Sequence, residues 1–261
     1  MTAGICVLGP SGRMGRAVLD AAAGRDDVRI AAAVDRPEAL GLGAPVAGGV
    51  LATADLEAGL AACDVYIDFT SPAASRAAAE AAARQGRAAV IGTTGLGAAE
   101  DAAVERLSRV APIVVAANFS LGVNLVLGLV QQAARALGPD WDAEVVETHH
   151  RAKRDAPSGT ALMIARAIAA GHGSDYERVK RHTRDGDVGP RPRGEIGVSS
   201  VRGGDAIGEH TAMFFGAAER LEISHRATSR SIFAVGALRA AAWVVRRPPG
   251  RYDMLDVLGL Q

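Results

Sequence analysis

Seven residues near the amino end, Gly9-Pro10-Ser11-Gly12-Arg13-Met14-Gly15, leave this chain little choice of fold. They follow the apolar run Ile5-Cys6-Val7-Leu8, which reads as a buried parallel strand. A helical pattern through Val18, Leu19 and Ala22 comes next, and a second apolar run, Ile30-Ala31-Ala32-Ala33-Val34, ends at Asp35-Arg36. A strand, a glycine turn opening a helix, and an acid at the end of the next strand together make the βαβ unit that binds a dinucleotide. The glycine spacing is Gly-x-x-Gly-x-x-Gly, and its physical demand is close backbone approach to a pyrophosphate at a helix start. Gly9, Pro10, Ser11, Gly12, Arg13 and Met14 are therefore candidate cofactor-binding residues. Asp35 suits the ribose hydroxyls and favours NADH. Arg36 suits a 2′-phosphate and favours NADPH, so both cofactors stay open.

Strand and helix patterns then alternate. Gly41 to Gly49 is Gly/Pro/Ala-rich and reads as loop. A short helix is expected near 55–62, then a strand ending at Asp68-Phe69. Ser71 is a candidate N-cap with Pro72 at the first helical position, and Gly86 is the stop. Ala89-Val90-Ile91 and Ile113-Val114-Val115-Ala116 are further strands, separated by a helix over 98–110. Ligands of parallel sheets sit beyond the carboxyl ends of the strands. That places Phe69, Gly92, Thr93, Thr94, Ala116, Ala117, Asn118 and Phe119 with the glycine turn as candidate cofactor contacts.

The texture changes after Ser120. A long helix is expected over 121–137, and a strand over 143–147 leads into Thr148-His149-His150-Arg151-Ala152-Lys153-Arg154-Asp155-Ala156-Pro157-Ser158-Gly159-Thr160. His149 and Lys153 can both transfer protons. Of 29 basic residues only Lys153 and Lys180 are lysine, so a chain that otherwise uses arginine has a titratable amine here. Ser158, Gly159 and Thr160 open an apolar helix, whose start suits a carboxylate or phosphate. Residues 171–194 read as a long exposed loop, with His172 and His182 exposed on it. A strand over 196–201 and a hairpin over 209–225 make a second sheet, with His210 and His225 as structural histidines. A final apolar helix runs from about 230. The expected fold class is α/β, an N-terminal Rossmann-like parallel sheet with a second α+β domain carrying a mixed sheet. The expected boundaries are 1–118, completed by 230–261, and 119–229.

Composition closes other routes. A formal net charge of +0 argues against a nucleic-acid partner bound by bulk electrostatics. The two cysteines, Cys6 and Cys63, lie in apolar runs, and no Cys/His spacing suggests a metal. Met1-Thr2-Ala3-Gly4 lacks a basic leader region and no run reaches the length of a membrane span. A cytoplasmic protein with no membrane partner is the expectation.

The chain resembles the dihydrodipicolinate reductase (4-hydroxy-tetrahydrodipicolinate reductase) family of lysine and diaminopimelate biosynthesis. The resemblance is carried by the glycine turn, Asp68-Phe69-Thr70, Gly92-Thr93-Thr94-Gly95, Ala117-Asn118-Phe119-Ser120 and the double-histidine stretch through Ala161. Ser200-Val201-Arg202-Gly203-Gly204, Gly208-Glu209-His210-Thr211 and Ser224-His225-Arg226-Ala227-Thr228-Ser229-Arg230 add to it. It implies reduction of a cyclic imine dicarboxylate by NADH or NADPH. In such enzymes the position of His149 serves acid/base chemistry and that of Lys153 donates the proton. The positions of His150, Gly159 and Thr160 contact substrate carboxylates. It also implies a homotetramer whose second-domain sheets pack together, so that domain binds substrate and mediates oligomerisation while the first binds the dinucleotide. Two positions depart from the family pattern: Ala152 stands where a histidine is frequent, and Arg154 where a neutral residue is frequent. The alternatives are another two-domain NAD(P) dehydrogenase of the aspartate pathway and a nicotinamide-binding regulator that has lost catalysis. A semialdehyde dehydrogenase would need a nucleophilic cysteine, and neither Cys6 nor Cys63 sits at a suitable turn.

Overall fold

The structure, a computed structural model, describes residues 2–260. In chain order the elements are β1 (Ala3–Leu8), α1 (Arg13–Ala22), β2 (Val28–Val34), β3 (Ala52–Thr53), α2 (Leu56–Ala61), β4 (Val65–Asp68), α3 (Pro72–Gln85), β5 (Ala88–Ile91), α4 (Ala98–Ser108) and β6 (Pro112–Val115). Then come α5 (Leu121–Leu137), β7 (Asp142–His149), α6 (Gly159–Gly171), α7 (Tyr176–Val179), β8 (Lys180–Arg181), β9 (Ile196–Arg202), β10 (Gly208–Phe215) and β11 (Arg220–Ala227). The chain ends with α8 (Ser231–Val244), β12 (Gly250–Tyr252) and α9 (Met254–Leu258). Two compact units result, one of residues 2–121 with 231–260, the other of residues 122–230.

The first unit is a seven-stranded parallel sheet in the order β12-β6-β5-β4-β1-β2-β3. Its central strands are short and apolar because both faces are covered; every residue of β1, β4 and β5 is buried. One face packs on α1, α8 and α9 through Val18, Leu238 and Val257. The other packs on α2, α3 and α4 through Leu60, Ala79 and Leu107. Local signals set the helix ends. Ser71 caps α3 by accepting the Ala74 N–H at 3.4 Å, Pro72 needs no partner at the first position, and Gly86 ends the helix at φ 65°. Two short edge strands lie where no strand was expected. β3 and β12 are two and three residues long, too short for hydropathy to show a period.

The second unit holds a five-stranded mixed sheet in the order β11-β10-β7-β9-β8. β7 runs parallel to β9 and antiparallel to β10. Val126, Val130, Val145, Ile164, Ile168 and Phe214 form its core under α5 and α6. The stretch 171–194 departs from a plain exposed loop in two ways. It folds α7 and β8, and its arginines are paired rather than merely solvated. Arg184 donates to Glu144 at 2.8 Å and to Glu195 at 2.5 Å, and Arg191 donates to Asp142 at 2.5 Å. His172 is also half-buried, with both ring nitrogens unpartnered, whereas His182 is exposed and bonds the Tyr176 hydroxyl at 2.8 Å.

Gly236, in the middle of α8, passes under the Phe119 carbonyl. A Cβ there would lie 1.7 Å from that oxygen. Alanine favours the helix by about 1 kcal/mol, but the overlap outweighs that gain. Urea denaturation of Gly236→Ala is expected to show a net loss of about 1–3 kcal/mol. A gain in stability would show that the Phe119 loop yields freely.

Candidate active site

In the first unit the glycine turn leaves the C-terminal end of β1. Gly9 takes φ +68°, open to glycine at little cost, and its N–H donates to the Val34 carbonyl at 2.8 Å. The Gly9 carbonyl lies against Gly15, where a Cβ would approach to 2.1 Å, so only glycine permits this tight turn. Gly12 caps α1 without a side-chain hydrogen bond. The first amides of a ten-residue helix are thereby left to an anion. Asp35 is half-buried at the end of β2. Its Oδ2 accepts from the Ser11 N–H at 3.1 Å and the Ser11 hydroxyl at 2.5 Å, and its Oδ1 accepts from the Arg36 N–H at 2.9 Å. Burial pushes its pKa up, but the Ser11 bonds and Arg36 outweigh burial and hold it below the ordinary value, so it is an ionised acceptor. A cavity of about 570 Å³ runs past Gly9, Gly12, Asp35, Arg36, Phe69 and Thr70. A glycine-bearing turn, an uncapped helix start and an acceptor at the next strand end fit a dinucleotide.

In the second unit β7 alternates, with Ala143, Val145, Glu147 and His149 on its buried face. Glu147 is 0 % exposed. Its Oε1 accepts from the Ser158 N–H at 3.1 Å and from Arg202 Nη2 at 2.8 Å. Its Oε2 accepts from Arg202 Nη1 at 2.8 Å and meets His149 Nδ1 at 2.6 Å. Burial pushes the Glu147 carboxyl up, but Arg202, Ser200, His149 and the Ser158 N–H together bring it down to about 2. Strand register makes this possible, since Arg202 lies opposite His149 on β9 and His210 opposite Glu147 on β10.

The loop after His149 is zipped to its neighbour. Gly203 N–H donates to the His149 carbonyl, His150 N–H to Ala206 at 2.7 Å, and Arg151 N–H to Gly204. Lys153 Nζ donates to both Asp155 oxygens at 2.9 Å, and Lys153 holds the Asp155 carboxyl below its ordinary range. The Ser158 hydroxyl accepts from the Ala161 N–H at 3.2 Å and shares a 3.0 Å bond with His210 Nε2. Gly159 starts α6 exposed, with open space where a Cβ would stand. An imidazole and an amine, both side chains able to exchange protons, are thus built with a helix start into one hydrogen-bonded unit.

The family model for dihydrodipicolinate reductase, N-terminus, matches residues 3–119, and that for its C-terminus matches residues 122–258. The chain belongs to the dihydrodipicolinate reductase family. The 4-hydroxy-tetrahydrodipicolinate reductase of Alkalilimnicola ehrlichii is 49% identical over 100% of both chains. That of Caulobacter vibrioides is 50% identical over 98% of this chain and 97% of its own. In fold, the dipicolinate-bound dihydrodipicolinate reductase from Paenisporosarcina sp. TG-14 superposes with a TM-score of 0.82 over 98% of this chain and 99% of that one, at 24% identity. The chain is accordingly an NAD(P)H-dependent oxidoreductase that reduces 4-hydroxy-tetrahydrodipicolinate in lysine and diaminopimelate biosynthesis.

Within this reductase, the residues singled out from sequence are distributed unevenly. Gly9, Ser11, Gly12, Asp35, Arg36 and Phe69 line the large cavity. Pro10 lines a second cavity of about 450 Å³ beside it. Met14 packs against the core and Arg13 is exposed. Gly92 is forced by the Phe69 ring, which a Cβ would meet at 2.1 Å, and Thr93 Oγ1 accepts the Thr70 N–H at 3.1 Å. Thr94 and Ala117 are exposed, Ala116 and Asn118 are half-buried, and buried Phe119 meets Phe69 edge-on with centroids 5.5 Å apart. Cys6 and Cys63 are both buried and form no disulfide. Among the described residues no helix is long and apolar enough to cross a membrane, and no cluster of side chains suits a metal. Sequence reasoning passed over Glu147, Arg202 and Asp155 as functional groups and gave His210 only a structural role.

His210 is 5 % exposed, and burial, then the neighbouring His149, bring its pKa from 6.5 down to about 4. The unfolded chain therefore takes the proton first. His210's contribution to stability is complete above pH 6.5 and is lost as pH falls through about 4. The loss is on the order of 3 kcal/mol. Urea unfolding between about pH 7 and about pH 4 should show a steeper loss for wild type than for His210→Asn. Equal slopes would mean that His210 does not titrate across this window.

Proposed function

We propose that His149, His150, Lys153 and the start of α6 at Ser158, Gly159 and Thr160 bind the dicarboxylate substrate and manage its protons. The net reaction consumes substrate, NAD(P)H and one proton, and yields tetrahydrodipicolinate, NAD(P)⁺ and water. When bound, the reduced nicotinamide cofactor supplies the hydride. The chain must then deliver a proton beside the carbon that accepts it. Lys153 is the proton donor in this reading, and Asp155 keeps its ammonium positioned at 2.9 Å between turnovers. His149 serves acid/base chemistry. The positive end of α6 and His150 take the substrate carboxylates. One observation carries the reading: His149 and the α6 start are tied through a single buried carboxylate, with Lys153 on the loop that joins them.

On the cofactor side, Gly9, Gly12, Asp35 and Arg36 hold the adenosine end, while residues 92–94 and 116–119 serve the nicotinamide end. The ionised Asp35 supports use of NADH, and the exposed Arg36 beside it supports use of NADPH as well. The dipicolinate held by the Paenisporosarcina relative supports a flat 2,6-dicarboxylate as the ligand class. Residues 1–118 with 230–261 then act as the dinucleotide-binding domain and 119–229 as the substrate-binding domain. We extend the reading to a cytoplasmic homotetramer assembled on the second unit's sheet. Val201 at 47% and Leu221 at 40% exposure leave apolar surface on that sheet for a partner to cover.

Lys153→Ala tests the role. The variant is expected to lose roughly 10²- to 10⁴-fold in kcat while titrating NADPH like wild type. A kcat within twofold of wild type would remove Lys153 from proton transfer.

A further inference from the structure

Nothing in a catalytic role for His149 says which ring nitrogen works or what selects it. Glu147 and Arg202 answer both questions. A carboxylate ionised down to about 2 can only accept hydrogen bonds, so the 2.6 Å contact to His149 Nδ1 requires that nitrogen to carry the proton. The opposite tautomer would set a lone pair against a buried anion. We propose that Glu147 and Arg202 are positioning residues that hold His149 as the Nδ1–H tautomer, leave Nε2 as the atom that exchanges protons, and lock the ring to the start of α6.

Several observations converge on this assignment. Glu147 is denied rotation because both oxygens are engaged from three sides, by Arg202, His149 and the Ser158 N–H. Arg202 is denied rotation in turn, because its Nη atoms also donate to the Asp155 carbonyl at 2.8 Å and the Val201 carbonyl at 2.7 Å. A lysine lacks the planar fork needed to hold both carboxylate oxygens at once. The His149 side chain keeps 11% of its surface exposed. Gly208 packs against the ring without a side chain, since a Cβ there would lie 2.9 Å from Nε2. His210 closes the opposite flank edge-on, with ring centroids 5.2 Å apart, and bonds Ser158. The ring is therefore fixed in plane, tautomer and distance from the α6 start by groups that need not touch substrate.

The inference rests on the reading of His149 as an acid/base group, and the test separates the two. Solid-state nitrogen-15 NMR of histidine-labelled enzyme reports the tautomer directly, with the His149 signals assigned by their loss in His149→Gln. Recorded on the neutral imidazole, the wild-type spectrum should show a protonated Nδ1 and an unprotonated Nε2. In Glu147→Gln the Nδ1–H preference should be lost, with kcat lowered at least about tenfold and KM for NADPH unchanged. Glu147→Asp keeps the charge beside Arg202 but draws it away from His149. It should show the same change of tautomer, and it carries the test if the glutamine variant does not fold. A tautomer that survives both substitutions overturns the proposal. A tautomer that changes while Glu147→Gln and His149→Gln both keep kcat within twofold of wild type overturns instead the acid/base reading of His149, and the positioning role falls with it.

Discussion

A carboxylate with no exposed surface must find compensation inside the protein, and Glu147 finds it in Arg202, His149 and the Ser158 amide. Taking that charge out of water costs several kcal/mol, and removing any one partner would leave the anion under-compensated. The pair is thus poor at adding stability and good at specifying geometry. Each donor belongs to a different segment: Arg202 ends β9, His149 ends β7, and Ser158 precedes α6. One buried anion therefore fixes the relation of two strands and a helix start, and the loop carrying Lys153 is stretched between them.

The same helix-start physics appears in both units, prepared in different ways. At α1 the backbone is cleared: Gly9 and Gly12 carry no side chain at the turn, and Gly15 lets the helix pack against the Gly9 carbonyl. At α6 the start is partly satisfied from within, because Ser158 caps Ala161 and leans on His210. A pyrophosphate needs close backbone approach along its whole length. In the proposed binding mode a ring carboxylate needs only a small opening at the helix start, where Gly159 is exposed.

What the sequence disclosed follows the range of the interactions. Caps and turns are local, so Ser71-Pro72, Gly86 and the Gly9–Gly15 cradle were legible, as was the α/β class with a parallel first sheet and a mixed second one. His149 and Lys153 stood out as unusual residue types at short spacing. The partners that organise them are remote: Arg202 lies 55 positions from Glu147, and His210 lies 52 from Ser158. Only strand register joins those positions, and register is invisible in one sequence. One clue was available. Glu147 shares the alternating face of Ala143 and Val145, and an acid on an apolar face demands a buried partner. The edge strands β3 and β12 and the paired arginines of 184–191 were hidden for related reasons, being too short or too dependent on distant acids.

The most direct test of this account is a crystal structure of the enzyme with NADPH and a planar heterocyclic 2,6-dicarboxylate. One carboxylate is expected on the Gly159 and Thr160 amides, with His149 Nε2 facing the ring and Nδ1 still on Glu147. A dicarboxylate bound away from the α6 start, or a His149 ring turned from Glu147, would contradict it.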